Sequence, residues 1–191
     1  KRELKIDDDD FIISYLGSIG SWYLTDYMMQ FFKIINDKIP SAKFLFISPN
    51  KHEIIADVAN RMRLPENKII VKNAKRNDVP ALLSFSEFSV FFIKSCYSKQ
   101  SSSPTKHGEI MAMGIPVITN EGVGDVADIV ATTHSGLLLK ELNEKEFKVV
   151  ADKIAQETTI DKSIIRNAAM EYYNLENAIK KYAEIYKEIL E

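Results

Sequence analysis

Short apolar runs alternate with helical patterns along most of this 191-residue chain, and this alternation constrains its fold more than any other feature. The first apolar run spans residues 11–16, and residues 26–36 then place apolar side chains at helical spacing. Continuous apolar strands separated by helices are typical of a parallel sheet with helices on both faces. The pattern therefore predicts an α/β, Rossmann-like domain. Further strands are predicted at residues 43–47, 68–71, 88–93, 115–119 and 135–139, and further helices at residues 51–62, 79–85, 104–113 and 125–131.

The two ends of the chain depart from this alternation. Residues 1–10 are charged and contain few apolar side chains, so we expect a linker there and a single domain over residues 11–191. The four aspartates at residues 7–10 are interpreted as solvated surface, with a metal-binding acidic cluster as the less favoured alternative. From residue 143 onward the sequence predicts successive helices.

Composition excludes several classes of function. The chain has 25 basic and 27 acidic residues and a net charge of −2, so it has no general attraction for nucleic acid, and any anion site must be local. Its single cysteine, Cys96, excludes an internal disulfide, and its three scattered histidines do not suggest a zinc site. The sequence shows neither a signal-peptide pattern nor an apolar run of about 20 residues that could span a bilayer. Because it begins at Lys1 rather than methionine, we expect a piece of a longer protein.

Five loops follow the predicted strands and are the places where a ligand is expected. In open parallel sheets, ligands bind outside the carboxyl ends of the strands, where loops lead into helix N-termini. These loops comprise residues 17–23, 48–51, 72–78, 94–105 and 120–125.

The most informative loop ends in the sequence Ser-Pro-Thr-Lys-His-Gly-Glu. Ser103 is predicted to cap the following helix and Pro104 to occupy its first position. The free N–H groups of such a first turn, together with the helix dipole, favour an anion, and the Thr105 hydroxyl can donate to it. Lys106 places a cation where the dipole disfavours one, which indicates a bound anion nearby. A surface cap with solvated lysines is the alternative.

Glu109 lies one turn further into the same predicted helix. A carboxylate at this place can accept two hydrogen bonds from vicinal hydroxyls, such as those of a ribose. A surface glutamate that is stabilised by the helix N-terminus explains it equally well.

Two glycine-containing loops are weaker signals. Residues 17–20 read Gly-Ser-Ile-Gly, which allows a close approach of the backbone to a ligand but fits neither the dinucleotide fingerprint nor the P-loop. Residues 120–125 contain two further glycines, and an ordinary strand–helix connection explains them as well.

Three other side chains near these loops are candidates for a role in binding or catalysis. Trp22 and Tyr23 could stack on a base or pack at a domain edge. Cys96 is interpreted as a packed side chain rather than a nucleophile.

Taken in order, these segments resemble the C-terminal, donor-binding domain of retaining glycosyltransferases with the GT-B fold, of the glycosyl transferases group 1 type. The most specific stretch is SSSPTKHGEIMAMGIPVITNEGVGD, residues 101–125. It is similar to the family segment P-S/T-K-x-x-E-x-x-A-x-G-x-P-V-I/V with a following glycine turn. The opening YLGSIGSWY, residues 15–23, also looks like the first strand and glycine loop of such domains.

The resemblance implies one half of a GT-B fold with extra C-terminal helices, and an N-terminal acceptor domain that this chain does not contain. It implies a hexosyltransferase that uses a nucleoside-diphosphate sugar, without a divalent metal or other cofactor, in bacterial polysaccharide or lipopolysaccharide synthesis. The expected location is cytoplasmic, with peripheral association of the full-length enzyme at the inner face of the membrane. The fragment alone is expected to bind donor weakly and to transfer nothing.

The resemblance also assigns roles to residues. The glycine loop would line the diphosphate and the sugar, the start of the helix would contact the phosphates, and the loops at residues 48–50 and 72–74 would flank the base. Lys106 and Glu109 are the expected catalytic residues, and Glu109 matches the second glutamate of the family's E-x7-E motif. The expected donor-binding residues are Gly17, Ser18, Gly20, Ser48, Lys72, Ser103, Thr105, Lys106 and Glu109.

Two departures from the family pattern stand out. Ser101 occupies the place of the first glutamate of the E-x7-E motif, and the glycine loop lacks the common arginine and lysine. Either a cation has been relocated, with Lys106 and then Lys94 or Lys99 as candidates, or donor chemistry is weakened. The relocated cation is favoured, because Lys106 retains the charge.

Two other functions stay open. A nucleotide-sugar epimerase of the same architecture would use His107 with Glu109, and a non-catalytic nucleotide-sugar-binding module would account for Ser101.

The last helix carries an apolar stripe. The resemblance implies that the chain of family members returns to the N-terminal domain at this helix. The members of the stripe are Leu175, Ile179, Tyr182, Tyr186 and Ile189.

Overall fold

Six strands form a single parallel sheet in the computed structural model, which describes residues 2–156 and 160–190. The strands are β1 (Phe11–Leu16), β2 (Ala42–Ile47), β3 (Ile69–Lys72), β4 (Phe88–Phe91), β5 (Val117–Asn120) and β6 (Gly136–Leu139). Their order across the sheet is β3-β2-β1-β4-β5-β6, and all five neighbouring pairs are parallel. The predicted α/β class and parallel sheet are therefore confirmed.

Eight α-helices flank this sheet in the described part of the chain. They are α1 (Thr25–Lys38), α2 (His52–Arg61), α3 (Val79–Leu83), α4 (Thr105–Ala112), α5 (Val126–Thr133), α6 (Glu144–Ala155), α7 (Lys162–Tyr172) and α8 (Leu175–Leu190). Helix α1 packs against α2 and α6, whereas α7 packs against α4 and α5. Because crossovers between parallel strands are right-handed, the reversal of strand order at β1 and β4 places these two groups on opposite faces of the sheet.

Aromatic side chains fix α1 and α6 against the centre of the sheet. Phe31 of α1 and Phe147 of α6 lie 5.6 Å apart, measured between ring centroids. Phe92, directly after β4, stacks on Phe147 at 5.8 Å and meets Phe31 edge-on at 5.9 Å. All three are fully buried, so this cluster sets how the long α1 leaves the glycine loop that precedes it.

The first ten residues are more structured than a linker. Ile6 is buried at 4% exposure and belongs to the main hydrophobic core. The ammonium of Lys43, on β2, donates to the carbonyl of Lys5 at 2.7 Å and pairs with the Asp10 carboxylate at 2.5 Å. These contacts hold the segment against the first residues of β2.

The segment predicted as a linker is therefore packed against the domain, because one buried apolar side chain and the ion pairs of Glu3, Asp7 and Asp10 hold it in place. The solvated interpretation of the aspartates holds for residues 7–9, which are exposed, but not for the partly buried Asp10. Lys1 lies outside the described residues.

The C-terminal part consists of the helices α6, α7 and α8, as the sequence predicts, although residues 157–159 and 191 lie outside the described part. None of the described helices is both long enough and apolar enough to cross a membrane.

Candidate functional site

The sheet reverses its strand order between β1 and β4, and the loops that follow these two strands meet there. Leu24 N donates to the Phe92 carbonyl at 2.9 Å, and Lys94 N donates to the Trp22 carbonyl at 2.8 Å. Tyr23 and Ile93 form an antiparallel bridge between the same loops. A switch point of this kind opens a crevice at the carboxyl edge of a parallel sheet, which is where such folds bind ligands.

Helix α4 begins in this crevice, one residue later than predicted. Its N-cap is Pro104, with φ −68° and ψ 116°, and the helix proper starts at Thr105. The prediction that Ser103 caps the helix is wrong, because the Ser103 hydroxyl donates to Asp125 Oδ2 at 3.4 Å instead. No side chain caps α4, so the partial positive charge of its first turn is left to a ligand.

Lys106 is a buried cation without an acidic partner. Its side chain is 7% exposed, and the described residues form no ion pair with it. Nζ donates to the Tyr15 hydroxyl at 3.2 Å and lies 3.7 Å from the centroid of the Tyr23 ring, in cation–π contact. Burial lowers the pKa of Lys106 to about 7, and the Glu109 carboxylate acts in the opposite direction. The charged form of this amine carries a free-energy cost that a bound anion would offset.

Gly17 provides the space for this ammonium. Its φ of +130° is one that side-chain-bearing residues rarely adopt, and an added Cβ would lie 2.5 Å from Lys106 Nζ. The structure thus brings together two residues that the sequence predicts for donor binding, although they are separated by 89 positions along the chain. Any group bound at the glycine loop lies next to the Lys106 charge.

A second lysine, Lys51, approaches the other glycine of the same loop. It precedes α2, and a Cβ added to Gly20 would lie 3.5 Å from its Nζ. The Asn50 side chain next to it accepts from the Ile19 N–H at 3.4 Å. Lys51 was not predicted as a site residue, although its position at the end of the loop after β2 could have indicated such a role. Lys99, one of the cations expected there, stacks over the Trp22 ring at 4.9 Å.

Three of the predicted donor-binding residues make contacts within the protein instead of facing Lys106. Ser18 is exposed, and its carbonyl accepts from the Tyr15 hydroxyl at 2.5 Å. Ser48 is buried, and its hydroxyl donates to the Asn50 carbonyl at 3.1 Å. Lys72 pairs with Glu3 at 2.7 Å, toward the edge of the sheet. The structure therefore does not bring the Ser48 and Lys72 side chains to the glycine loop.

Glu109 forms an ion pair that the sequence did not suggest. Its carboxylate lies 3.2 Å from the guanidinium of Arg76, in the 3-10 turn Arg76–Asp78 after β3. Arg76 and Glu109 line a groove of about 620 Å³ together with Thr105 and the end of α7. Because Arg76 is 90% exposed, a ligand hydroxyl can compete for Glu109 at little cost.

The glycine turn after β5 supports the loop that leads into α4. Gly124 N donates to the Lys99 carbonyl at 2.8 Å, and an added Cβ on Gly124 would lie only 1.7 Å from the Ser102 carbonyl oxygen. The buried Asn120 side chain binds both the N–H and the carbonyl of Ile93, at 2.9 and 3.0 Å. The two loops are therefore packed together without space for a side chain at Gly124.

His107 does not face the crevice. It is fully buried, its Nδ1 lies 2.9 Å from the Tyr173 hydroxyl, and burial lowers its pKa to about 4. A buried neutral imidazole of this kind cannot form the acid–base pair with Glu109 that an epimerase would need.

Other chemistry-bearing residues are scattered. Within residues 2–156 and 160–190, no three His, Cys, Asp or Glu side chains are grouped in a way that could hold a metal ion. Cys96 is partly exposed, and its Sγ lies 3.4 Å from the Ser98 hydroxyl, which lowers the pKa of the thiol. Ser101, in the place of a glutamate, is exposed.

Solved structures with the same fold are glycosyltransferases. WaaG, a glycosyltransferase involved in lipopolysaccharide biosynthesis, matches with a TM-score of 0.76 at 15% identity, over 96% of this chain and 49% of WaaG. A glycosyltransferase from Rickettsia africae matches with a TM-score of 0.76 at 17% identity, over 100% and 50%. HepE from Anabaena, solved with UDP, matches with a TM-score of 0.74 at 15% identity, over 98% and 51%. At these identities the matches establish the fold, and the chain spans about half the length of each structure.

The sequence itself places the chain in a family. No curated protein sequence matches it. The family model of glycosyl transferases group 1, however, matches residues 1–171, which include both lysines and both glycine loops of the site. The fold is accordingly the Rossmann-like half of a GT-B glycosyltransferase, and the chain belongs to the glycosyl transferases group 1 family.

Proposed function

We propose that this chain is the donor-binding half of a glycosyltransferase that takes its glycosyl group from a nucleoside-diphosphate sugar. The observation that carries the proposal is Lys106, a buried ammonium without a carboxylate partner at the switch point of the sheet. A buried charge without a counterion costs stability, and a bound diphosphate would supply the missing counterion.

The diphosphate is proposed to lie over the glycine loop, between two lysines. Lys106 would contact it from beneath Gly17, and Lys51 would contact it from beside Gly20. The uncapped first turn of α4, with the Thr105 hydroxyl, would supply N–H and O–H donors. Lys51 would then act with Lys106, the favoured relocated cation, in place of the missing basic residues of the glycine loop.

The nucleoside would extend from the diphosphate toward β3. Glu109 would accept hydrogen bonds from the ribose hydroxyls, with Arg76 holding the carboxylate in place. The backbone after β2 and β3 would flank the base, because the Ser48 and Lys72 side chains are engaged elsewhere.

In the proposed reaction, an acceptor hydroxyl attacks the anomeric carbon as the bond between that carbon and the diphosphate oxygen breaks, and the hydroxyl proton passes to the departing diphosphate. Negative charge develops on the departing diphosphate. Lys51, Lys106 and the α4 dipole would stabilise it without a divalent metal, as preorganised charges do in other active sites. The acceptor would be held by a second, N-terminal domain, and retention of configuration follows from the family resemblance alone.

The identity of the nucleotide is proposed from the structural neighbours. HepE was solved with UDP and with UDP-glucose, so a UDP-sugar is the first donor to test. WaaG is involved in lipopolysaccharide biosynthesis, which supports a role for this chain in bacterial surface polysaccharide synthesis. A location at the cytoplasmic face of the membrane is proposed from the family resemblance alone.

Calorimetric titration with UDP, UDP-glucose, GDP and uridine tests the proposal. The chain is expected to bind a nucleoside diphosphate much more tightly than uridine. Lys106→Met should remove most of that difference and leave uridine binding unchanged, whereas Lys33→Met, on the outer face of α1, should change neither. If none of the diphosphates binds, or if Lys106→Met weakens UDP and uridine equally, the donor site is not where we place it.

A further inference from the structure

The residue that joins α7 to α8 contacts the first two turns of α4. The hydroxyl of Tyr173 lies 2.9 Å from His107 Nδ1, and the two rings meet edge to face with centroids 5.5 Å apart. The Tyr173 N–H donates to the Ala169 carbonyl at 2.9 Å, so Tyr173 is itself fixed to the end of α7. Tyr173 lies beyond residues 1–171, the part of the chain that the family model matches.

Gly108 makes room for the Tyr173 ring. A Cβ added to Gly108 would lie 2.6 Å from Tyr173 Cγ and 2.8 Å from Cδ1. Glycine inside a helix is less favourable than alanine, so its presence in the middle of α4 calls for a packing reason. The close approach of the tyrosine ring is that reason.

The two residues that Tyr173 contacts lie between the two that are proposed to bind the donor. Lys106 precedes His107, and Glu109 follows Gly108. A helical turn that is fixed at His107 and Gly108 has little freedom to rotate, and any rotation about the helix axis would displace both the Lys106 ammonium and the Glu109 carboxylate. The contact at Tyr173 therefore determines where both groups point.

The same hydroxyl lies near the other loop of the crevice. Burial raises the pKa of Tyr173 to about 12, the Asp125 carboxylate adds to this rise, and the Ser103 hydroxyl opposes it. Ser103 in turn donates to Asp125 at the start of α5. Tyr173 thus stands where α4, α5 and α7 converge.

We infer that Tyr173 is a positioning residue of the donor site, which orients Lys106 and Glu109 by holding His107 and Gly108, and so couples the α7–α8 junction to diphosphate affinity. This inference rests on the proposed function. Movement of α8 would change donor affinity through this contact, without any residue of α8 touching the donor.

Tyr173→Phe tests this role, because it removes the hydroxyl and keeps the ring that fills the space beside Gly108. Calorimetry should show UDP affinity reduced about fivefold, the equivalent of one net hydrogen bond. Uridine, which is affected only through the partly exposed Glu109, should lose less than about twofold. Tyr172→Phe is the matched control, since Tyr172 is the exposed last residue of α7, next to Tyr173, and the change should leave both affinities unchanged.

A purely structural role predicts a different result. In that case Tyr173→Phe lowers the melting temperature but keeps the ratio of UDP to uridine affinity, and the inference is overturned.

If the Tyr173→Phe variant does not fold, the variants His107→Asn and His107→Leu test the same contact from its other side. Asparagine keeps an acceptor near the position of Nδ1 and should preserve the ratio, whereas leucine should reduce it, and equal ratios would contradict the inference. Wild-type protein that does not bind UDP would instead contradict the proposed function itself.

Discussion

At the scale of single residues, the proposed role of Lys106 predicts that its buried charge lowers the stability of the free protein. A methionine at this position would keep the packing against Tyr15 and Tyr23 while removing a buried charge. Lys106→Met is therefore expected to melt at the same or a higher temperature than the wild type, although it loses diphosphate binding. A variant that melts several degrees lower would show that the ammonium stabilises the fold and would weaken its assignment as an anion receptor.

The lowered pKa of Lys106 predicts how donor binding depends on pH. The amine has a pKa of about 7 in the free protein, and a bound diphosphate requires its charged form. The affinity for UDP-glucose should therefore fall by up to about tenfold per pH unit as the pH rises above 7, with proton uptake on binding. UDP-glucose is the appropriate ligand, because its doubly esterified diphosphate does not titrate in this range.

The stability of the free protein has the opposite dependence on pH. The unfolded chain holds the Lys106 proton up to its ordinary pKa, whereas the folded chain releases it near pH 7. Between these values the unfolded state binds more protons, so this group makes the folded state more stable as the pH rises.

Titrations with UDP-glucose at pH 6.5, 7.5 and 8.5, in buffers of different ionisation enthalpy, measure the pH dependence of binding and the proton uptake. An affinity for UDP-glucose that stays constant, or that changes equally in Lys106→Met, would assign the titration to another group.

Lys51 is expected to contribute to phosphate binding without contributing to stability. It is exposed, and the described residues form no ion pair with it. Lys51→Ala should weaken UDP binding about two- to fivefold, as is usual for one partly screened charge pair, and leave uridine binding and the melting temperature unchanged. The loss should shrink at high salt. Lys33→Ala serves as the control, and a loss that is the same for uridine and UDP would remove Lys51 from the diphosphate site.

At the scale of elements, the turn after β5 acts as a support for the loop that enters α4. Gly124 has a φ of +46°, and the Ser102 carbonyl occupies the space of its Cβ. Gly124→Ala should lower the free energy of unfolding by on the order of 1–3 kcal/mol and weaken UDP binding as residues 99–103 move. Urea denaturation measures the first effect, with the exposed Ser101→Ala as a control that should be nearly neutral. Wild-type stability in Gly124→Ala would show that the turn adapts.

The elements that the sequence predicted well are those defined by local pattern. Buried parallel strands are continuous apolar runs, so the six strands and their connecting helices could be located within a few residues. The predicted start of α4 was one residue too early, because Ser103 and Pro104 both suit more than one position at a helix start. The packing of the N-terminal segment could not be predicted, since it depends on one buried apolar side chain, Ile6, and on contacts with the distant Lys43.

The parts of the site that the sequence did not predict depend on contacts between distant segments. Lys51 reaches Gly20 only because β2 lies beside β1, and the order of strands in a sheet is not written in any single run of residues. The ion pair of Arg76 with Glu109 and the contact of Tyr173 with His107 likewise need the docking of α4 against its neighbours. Side chains at loops could be proposed from sequence, but their partners could not.

At the scale of the whole molecule, α8 presents an apolar face that the described residues leave exposed. The side chains along this face are 52–83% exposed, and they are Leu175, Ile179, Tyr182, Ile185, Tyr186, Ile189 and Leu190. Contiguous apolar surface of this kind marks an interaction site. The family resemblance implies that it packs on the N-terminal domain, and the contact at Tyr173 would then transmit the docking of that domain to Lys106.

The last prediction concerns sugar transfer by the 191-residue chain itself. In the proposed mechanism the acceptor hydroxyl is positioned by a second domain, and without positioning a transferase loses the largest part of its rate advantage. The chain should therefore bind UDP-glucose but release UDP no faster than the uncatalysed background, with or without sugar acceptors, in a coupled assay for free UDP. Release of UDP that Lys106→Met abolishes would show that this half already contains a complete active site. Positive charges can stabilise the departing diphosphate, but the glycosyl group reaches an acceptor only when that acceptor is held nearby. We therefore propose that leaving-group stabilisation belongs to this chain and that selection of the acceptor lies outside it.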